Sequence, residues 1–537
     1  MCKYRKLVCL SPWLLTAILM VCPGIHYMVH DDLALAQIVH ETAFGCRFFS
    51  LIAGRALYGL AVLAPGVEWF DVWLLASLSA GFGMLHWTAL QWRKWSAHVG
   101  LWLVQILLTM SVFTFTAVAM VCVFAGAAAL VLTQSKRRWP LWLAALLLVF
   151  NGCCMRKDGV ILCCGGLIAP LAVFNGGFSW KRLGSAAVIA AACMAIWCGI
   201  GLLDRALIRT DEVLEEYVEY EAARSGLYDG WQREPDEALL AEAGVSNEDL
   251  QLVRYYFHAD PDRLDTEWFG NCAAVQNETG SLQERLNMMY TRIRNMVYGR
   301  DLRVVCPLAI VLCALALGLE RRRTLLCMLG EAMMLGLETL YLIYIGRYIG
   351  RVAVAMDLLC VLSVGAAYLS APAQRSRMVW LRGIAAVCLV VVAMPVGRIA
   401  VRYYDYTQEF ERHHKQLADE EEMLLSSGSM AYTADYWVRV ASGPDRFTPN
   451  LLGDWWLYSP WWRLQMEQAG LEDHCDYAFG ALLEDGVTLM VSETELDAVE
   501  MLERYMERRD GIEITVEITP MEGMDRAYRC DFTEEKS

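Results

Sequence analysis

Long runs of apolar residues that carry few charges are the feature that most constrains how this chain can fold. The runs are about 17–23 residues long, which is the length an α-helix needs to cross a hydrocarbon core of about 30 Å. They raise the hydrophobic share of the 537 residues to 56%, above the roughly 45–50% of soluble domains. The sequence therefore excludes an ordinary water-soluble protein and predicts an α-helical polytopic membrane protein.

About 11 of these runs are predicted to be transmembrane helices, and the basic residues test that number because Lys and Arg concentrate in cytoplasmic loops. Basic clusters fall on alternate connections, on the side of Lys3, Arg5 and Lys6. The N-terminus is therefore predicted to be cytoplasmic. The predicted spans are Leu7–Val29, Val67–Leu90, Ala97–Phe113, Phe115–Leu132, Pro140–Met155, Gly159–Phe174, Leu183–Leu203, Leu302–Leu319, Thr324–Ile345, Val352–Ser370 and Met378–Val396.

Two hydrophilic segments interrupt this pattern, and both are acidic. Residues 204–300 hold 20 acidic and 10 basic residues, and residues 397–537 hold 30 acidic and 13 basic residues. Such segments argue against a nucleic-acid partner, because phosphates require a basic surface. We expect four regions: an N-terminal transmembrane region (1–203) with a first outer loop (30–66), an extracytoplasmic, mainly helical cap (204–300), a second transmembrane region (301–396) and an extracytoplasmic α/β domain (397–537).

The first outer loop contains an apolar stretch that is not predicted to cross. Its residues Arg47 and Arg55 would each cost about 2.5–3.5 kcal/mol inside the bilayer. Thr42–Ala64 is therefore predicted to be an amphipathic helix lying in the outer interface. In the C-terminal domain we expect a helix at Tyr406–Leu425, strands at Met430–Thr433, Val487–Val491 and Ile512–Ile518, and a helix at Glu493–Arg508.

Asp31 and Asp32 are the first candidate site residues, because they lie directly outside the first span. Two adjacent carboxylates raise each other's pKa, and one can accept a proton from a hydroxyl group or both can hold a cation. The structural alternative is that they are solvated loop residues that cap the following helix, for which Asp is well suited.

Three arginines form a second candidate set, since positive charges are disfavoured on the outer side. Arg156 follows the fifth span, with Lys157 and Asp158 beside it, and Arg347 and Arg351 precede the tenth span. Cations kept there indicate an anionic ligand, and the planar guanidinium suits phosphate. The alternative is that these side chains reach lipid phosphates from the bundle surface.

Several further ionisable residues could line a cavity between the helices. Ionisable groups inside a bilayer usually face a bundle interior or a wet cavity, although pairing with an arginine of a neighbouring helix would explain them equally well. A divalent cation is a weaker possibility, held by His26, His30, Asp31 and Asp32. The predicted cavity residues are His26, His30, Asp158, Glu331, Glu338 and Asp357.

The Trp-rich stretch at 454–462 has two interpretations. Its rings could contact a sugar or a membrane, or they could be the core or docking surface of the C-terminal domain, which is the more common role. Most of the 19 cysteines lie inside predicted spans, where they behave as small apolar residues. The sequence leaves open whether Cys475 and Cys530 form a disulfide bridge.

An acidic pair after the first of many spans, followed by an interfacial helix, resembles the GT-C superfamily of membrane glycosyltransferases. The resemblance rests on Asp31-Asp32, on Thr42–Ala64 and on Arg347 or Arg351, which match the outer arginine of that superfamily. Three short motifs are similar to those of an uncharacterised bacterial branch: Pro65-Gly66-Val67-Glu68-Trp69-Phe70, Ala223-Arg224-Ser225 with Asp229, and Asn450 to Pro460.

The resemblance implies a fold, a substrate class and residue roles. It implies a multi-pass protein of the bacterial cytoplasmic membrane that transfers a sugar from a polyprenyl phosphate to a glycan, lipid or protein acceptor, with inversion. Asp31 or Asp32 would be the catalytic base, and Arg347, Arg351 and Arg156 would bind the donor phosphate. The alternatives are a transporter or flippase of lipid-linked sugars and a non-catalytic scaffold for envelope assembly.

Overall fold

The computed structural model of this chain is mostly helical, with a small sheet near the C-terminus. It describes residues 2–29, 31–43, 48–92, 95–133, 139–157, 159–162, 180–228, 237–277, 282–298, 302–320, 322–345, 348, 350–370, 379–417, 423–426, 436–441, 450–524 and 526–535.

Most of the helices form a bundle around one buried helix, α6. The α6 sequence is apolar on every face, which is typical of a helix surrounded by other helices. It packs against α4, α7, α9 and α17, and its residues Val118, Val121 and Val131 have no exposed surface. The bundle helices are α1 (Cys2–Val21), α4 (Trp69–Ala89), α5 (Trp95–Ser111), α6 (Phe115–Thr133), α7 (Trp139–Met155), α8 (Gly159–Leu162), α9 (Trp180–Ile208), α15 (Leu302–Glu320), α16 (Arg322–Tyr344), α17 (Gly350–Ser370) and α18 (Val379–Leu417).

Within the described part of the chain, two helices are both long and apolar enough to cross a membrane. Phe115–Leu132 is almost entirely buried by its neighbours, as the core helix of a soluble protein would also be, whereas Leu183–Ile208 is mostly exposed. Shorter apolar helices accompany them in the bundle. The number of membrane crossings therefore stays a prediction.

The first predicted span is too long at its C-terminal end. Helix α1 ends at Val21, and residues 25–28 are extended rather than helical. Pro23 lacks the amide hydrogen that a helix needs, and Gly24 has a φ of +105°, a conformation that glycine adopts without strain. Because α1 ends early, the chain crosses the end of the bundle before it reaches Asp31.

Residues 436–441, which we call the strap, cross this same end of the bundle. The amide of Tyr27 donates to the carbonyl of Tyr436 at 2.9 Å, and the amide of Glu68 donates to the carbonyl of Val440 at 3.0 Å. A Cβ atom on Gly24 would lie 1.9 Å from the Trp437 ring. The strap therefore fixes the C-terminal part of the chain to the ends of α1 and α4.

The first outer loop contains two helices where one interfacial helix, Thr42–Ala64, was expected. Helix α2 (Asp31–Glu41) is buried along most of its length, and helix α3 (Leu51–Leu63) exposes the apolar residues Leu60, Val62 and Leu63. The break is anchored by Asp204 of α9, whose Oδ1 accepts hydrogen bonds from the Ser50 hydroxyl at 2.9 Å and the Leu51 amide at 3.1 Å. The exposed apolar surface of this loop thus lies on α3, and a position in the membrane interface stays a prediction.

The cap and the C-terminal segment share one continuous apolar core with the bundle. The cap contains α10 (Glu212–Tyr228), α11 (Glu237–Glu242), α12 (Asn247–Arg254), α13 (Thr266–Asn277) and α14 (Leu282–Tyr298). The C-terminal segment contains α19 (Pro460–Gln468), α20 (Leu496–Asp510), β1 (Met423–Ser426), β2 (Val487–Ser492), β3 (Ile514–Pro520) and β4 (Ala527–Glu534). The strand order is β1-β2-β4-β3, with β1 parallel to β2 and the other two pairs antiparallel.

The C-terminal secondary structure differs from the expectation in three places. The last bundle helix continues to Leu417 instead of ending near Val396, so residues 406–417 belong to it and not to the separate helix expected at Tyr406–Leu425, and Met423–Ser426 is a strand. Strand β4 was not predicted. The predicted strand at Met430–Thr433 lies outside the described residues.

Candidate functional site

The candidate site lies where α1 and α7 end and α4, α6 and α17 begin, and we call this place the Asp31 end of the bundle. Asp31 and Asp32 are the first two residues of α2, which is held against the bundle by its buried apolar side chains. A carboxylate in the first turn is favoured by the helix dipole, so the cap role expected for these residues is compatible with their positions.

Asp31 is paired with the predicted phosphate ligand Arg351. Its Oδ2 forms an ion pair with the Arg351 guanidinium, in which both side chains keep a small exposed fraction, 12% for Asp31 and 17% for Arg351. Arg351 is the second residue of α17 and comes to this end because α17 packs against α6. The structure thus joins two residues that are far apart in sequence and were selected for different reasons.

Asp32 has a different environment, since it has no exposed surface. Its Oδ1 accepts a hydrogen bond from the Phe115 amide at 2.6 Å, at the start of α6, and its Oδ2 has no hydrogen-bond partner within the described part of the chain. Burial raises the pKa of the Asp32 carboxyl well above its usual range, and the hydrogen bond from Phe115 opposes that shift. Asp32 therefore connects α2 to α6 and is not open to a ligand, whereas Asp31 is.

The Phe48 ring brings the second predicted arginine to the same place. The guanidinium carbons of Arg156 and Arg351 each lie 5.8 Å from the centre of this ring. Arg156 is also 5.7 Å from the ring centre of Phe115, the residue that binds Asp32. Contacts of this kind stabilise a cation on an aromatic face. The cluster formed by Asp31, Phe48, Arg156 and Arg351 is called the Phe48 cluster below.

Lys157 has a structural role, in contrast to its neighbour Arg156. Its ammonium group lies 2.5 Å from Oδ2 of Asp204, the residue that anchors the start of α3. The Asp204 side chain is almost fully buried. Lys157 thus neutralises a buried carboxylate and holds the loop that carries Phe48.

A third carboxylate, Asp71, lies behind Asp32 and was not predicted. Asp71 is fully buried at the start of α4, and it interacts electrostatically with Asp32. It accepts hydrogen bonds from the Tyr27 hydroxyl and, at 2.8 Å, from the Arg439 amide of the strap. Asp71 therefore binds the strap to the Asp31 end.

The other predicted residues are placed as follows. The His26 ring lies against Trp437, with ring centres 3.6 Å apart, and near Tyr404 at 5.7 Å. His30, Asp158 and Arg347 lie outside the described residues. Among the residues that the structure does describe, His, Cys, Asp and Glu form no group of three or more that could hold a metal ion.

The acids predicted to line a cavity lie farther along α16 and α17. Glu331 has no exposed surface and accepts a hydrogen bond from the Ser363 hydroxyl, which connects the two helices. Oε2 of Glu331 and Oδ1 of Asp357 are buried and have no hydrogen-bond partner among the residues described. Glu338 is partly buried on the same helix as Glu331. These residues belong to the helix interface and not to the Phe48 cluster.

An apolar groove of about 590 Å³ lies between α1, α4 and α7. Asn151, at one end of the groove, is held by Trp73 and Ser77 at 2.8 Å each. Arg156 follows on the same chain segment, about 7 Å farther along the helix direction at 1.5 Å per residue. The lining residues are Cys9, Trp13, Ala76, Ser77, Ala80, Gly83, Met84, Trp87, Leu141, Ala144, Leu147, Leu148 and Asn151.

The Trp-rich stretch is core and docking surface, as the structural interpretation expected. Trp456 and Trp462 are buried and donate to the carbonyls of Asn450 and Leu451, at 2.9 and 3.0 Å. Trp461 donates to the Glu41 carboxylate at the end of α2 at 2.7 Å. The Trp-rich stretch therefore binds the C-terminal segment to the predicted first outer loop.

Cys475 and Cys530 are free thiols.

A buried polar network holds this stretch against the cap. Nε2 of His258 accepts the Asp454 amide at 3.1 Å, so the neutral ring carries its proton on Nδ1, which lies 3.1 Å from the Tyr220 hydroxyl. Burial holds the pKa of the His258 imidazole well below its usual range, and the charge of Arg224 lowers it further. Arg224 itself is buried and paired with Glu221 at 2.6 Å. The Ala223-Arg224-Ser225 motif is thus part of the packing of the cap.

Sequence reasoning missed Phe48 and Asp71, and it named Trp455 only as one member of the Trp-rich stretch. Phe48 and Trp455 contact each other edge to face, with ring centres 4.6 Å apart. A contact between residues so distant in sequence leaves no local pattern, so spacing could not have found it.

Comparison with protein family models, with curated protein sequences and with solved structures found no match to this chain.

Proposed function

We propose that this chain is a membrane glycosyltransferase that moves a sugar from a polyprenyl phosphate to an acceptor hydroxyl at the Asp31 end of the bundle. The observation that carries the proposal is the Asp31–Arg351 pair, with Arg156 on the same Phe48 ring. A carboxylate and two guanidinium groups at one partly open place supply a base and a phosphate site together.

The apolar surface of the bundle supports a membrane setting for this reaction. Large exposed apolar side chains are concentrated on the bundle helices, and Ile518 is the only one in the described residues 450–535. Soluble proteins rarely expose apolar surface on this scale. Examples on α1, α7, α9 and α18 are Leu7, Leu14, Leu147, Val188, Leu202, Val387 and Met394.

The groove between α1, α4 and α7 suits the lipid part of the donor. It is apolar and leads towards Arg156, so an isoprenoid tail in the groove would bring its phosphate near the Phe48 cluster. Arg156 and Arg351 would neutralise the phosphate and stabilise it as the leaving group. The GT-C resemblance assigns the same role to Arg347, which lies outside the described residues.

In this mechanism Asp31 is the base, and Asp32 positions it. The incoming phosphate competes with Asp31 for Arg351, which frees the carboxylate. Asp31 then takes the proton of the acceptor hydroxyl, whose oxygen forms a bond to the anomeric carbon. The bond from that carbon to the phosphate oxygen breaks, and its electron pair leaves with the polyprenyl phosphate. Inversion follows from the GT-C resemblance.

The test measures the pool of polyprenyl-phosphate sugars by lipid mass spectrometry in cells that lack the protein. Wild-type protein should lower an accumulated species to its normal level. Asp31→Asn should fail to do so, because a general base typically contributes about 10²–10⁴-fold to the rate. Asp32→Asn should retain more activity, because its Oδ1 can still accept the Phe115 amide.

Two further variants separate the proposal from its alternatives. Glu248→Gln, on the surface of the cap, should restore the pool as wild type does and serves as the matched control for a lost carboxylate. If Asp31→Asn restores the pool while Glu331→Gln does not, the proposal is wrong and a transporter of lipid-linked sugars is the better interpretation. All variants are compared at equal levels of folded protein.

A further inference from the structure

Two buried hydrogen-bond donors lie next to Phe48. Among the residues that the structure describes, neither Nε of Arg351 nor Nε1 of Trp455 has a hydrogen-bond partner. Both side chains contact the Phe48 ring, at 5.8 Å for Arg351 and 4.6 Å for Trp455. A buried donor without a partner costs about 1–3 kcal/mol, so it requires an explanation, and a bound ligand that accepts the hydrogen bond is one.

Trp455 is an exception within its own sequence stretch. The indoles of Trp456, Trp461 and Trp462 each donate to an oxygen of the protein, at 2.7–3.0 Å. Trp455 is buried as deeply as they are, with 4% of its surface exposed. The folding of the stretch therefore satisfies three of its four indoles, and the fourth contacts the Phe48 ring that both arginines also contact.

The backbone around Trp455 is held in an unusual conformation. Asp454 and Tyr458 have φ angles of +81° and +63°, which are rare for residues other than glycine. The His258 ring binds the Asp454 amide, and the Tyr217 hydroxyl donates to the Trp455 carbonyl at 3.0 Å. Strained backbone that several contacts hold in place is typical of binding sites.

We infer that the Trp455 indole donates a hydrogen bond to a phosphate oxygen of the lipid-linked sugar, together with Arg351 and Arg156. The C-terminal segment would then complete the site that the bundle begins. An anionic oxygen is the best acceptor here, because two guanidinium groups contact the same aromatic ring. This inference rests on the proposed function and adds a third donor to its phosphate site.

The experiment measures thermal unfolding of the purified full-length protein in detergent micelles with increasing polyprenyl monophosphate. Matched polyprenol tests whether the phosphate is needed, and inorganic phosphate tests whether the lipid is needed. Wild type should be stabilised by polyprenyl monophosphate and not by polyprenol. Trp455→Phe keeps the ring but loses the N–H donor, so its affinity should fall about tenfold or more.

The unfolding temperatures of the ligand-free variants supply a second readout, in which Trp456→Phe and not Trp455→Phe shows the larger loss. Trp455→Phe should lose less stability than Trp456→Phe, because both variants lose part of a buried indole but only Trp455→Phe also removes an unsatisfied donor. Trp456→Phe should unfold at a lower temperature, because the Asn450 carbonyl loses its donor, and should bind the phosphate as wild type does.

The outcomes separate the two proposals. If wild type binds polyprenyl monophosphate and Trp455→Phe binds it equally well, the role of Trp455 is wrong and the proposed function stands. If polyprenyl monophosphate does not stabilise wild type at all, the donor site and the Trp455 inference both fail. Equal stabilisation by inorganic phosphate that Trp455→Phe abolishes would support the indole donor and assign the site to free phosphate.

Discussion

Two surfaces join the C-terminal segment to the rest of the molecule, and they differ in how their polar groups are paired. On the first, every arginine of α20 in the interface has a carboxylate partner on the cap: Arg504 and Arg508 with Glu248, Arg508 with Asp249, and Arg509 with Asp260 and Asp262. On the second, Trp455 lies against Phe48 with its N–H unused.

The C-terminal segment thus makes two kinds of contact with the rest of the molecule. Paired charges hold a surface together but add little to stability when they are exposed to solvent. A buried donor without a partner lowers the stability of an interface unless a ligand accepts its hydrogen bond. Such donors therefore indicate a ligand site and not a contact that only holds two segments together. The α20 surface is therefore structural, and the Trp455 surface is the one that we expect to respond to a ligand.

The largest expected effect is on the Trp455 surface, through Gly453→Ala. A Cβ atom at this position would lie 1.6 Å from the backbone oxygen of Tyr256, so the stretch would have to move. We expect a loss of about 3 kcal/mol or more in the free energy of unfolding, together with loss of transfer activity. Denaturant unfolding in micelles measures the first quantity.

Gly226→Ala is the matched control for that substitution. It lies in α10, where the nearest atom to a new Cβ is the Cβ of Ala273 at an ordinary 3.8 Å. This variant should be as stable as wild type or slightly more stable, because alanine favours a helix. Equal stability of Gly453→Ala and Gly226→Ala would contradict the packing described for the Trp455 stretch.

An intermediate effect is expected from pH, through His258. Its pKa is lowered in the folded state, so below about pH 6.5 the unfolded chain binds a proton that the folded chain does not. Stability contributed by the neutral ring is therefore lost as the pH falls, by up to about 1.4 kcal/mol per pH unit. Unfolding midpoints between pH 7.5 and 5.5 measure the slope.

His258→Gln should flatten that slope, although it lowers stability at pH 7.5 by disturbing the bonds to Asp454 and Tyr220. His474→Gln removes a more exposed histidine, which pairs with Glu484 at 3.2 Å, and is the control. A slope that is equally steep in wild type and His258→Gln would show that other groups cause the acid sensitivity.

The smallest effect is expected on the α20 surface. Arg508→Gln breaks the pairs with Glu248 and Asp249, in which the arginine is 45% exposed. The loss should be about 0.2–1 kcal/mol, and it should shrink at 0.5 M salt because salt screens exposed charges. Phosphate binding should not change. A loss of binding in Arg508→Gln would remove the distinction between the two surfaces.

The sequence was informative wherever a residue departs from a general rule. Arg156 and Arg351 were selected because positive charges are disfavoured outside, and Asp31 because it follows the first span. The structure places both arginines against the Phe48 ring and pairs Asp31 with Arg351. Asp32, selected for the same reason as Asp31, faces α6 instead, because successive residues of a helix point in different directions.

The remaining features depend on tertiary packing, which a single sequence does not reveal. Phe48 looks like any apolar residue of the first loop, and the unused N–H of Trp455 can be distinguished from those of its neighbours only once all the partners are known. The early end of α1 has a local cause in Pro23 and Gly24. The long α18 has none, because its apolar and charged parts predict two helices.

The position of Trp455 in the chain also has a consequence for biogenesis. Phe48, Arg156 and Arg351 are synthesised first, and Trp455 can join them only after the cap and the second half of the bundle have been made. A nascent chain that has inserted all its bundle helices would therefore still lack part of the phosphate site. In this proposal, the phosphate site is complete only when the segment that carries Trp455 has left the ribosome and docked.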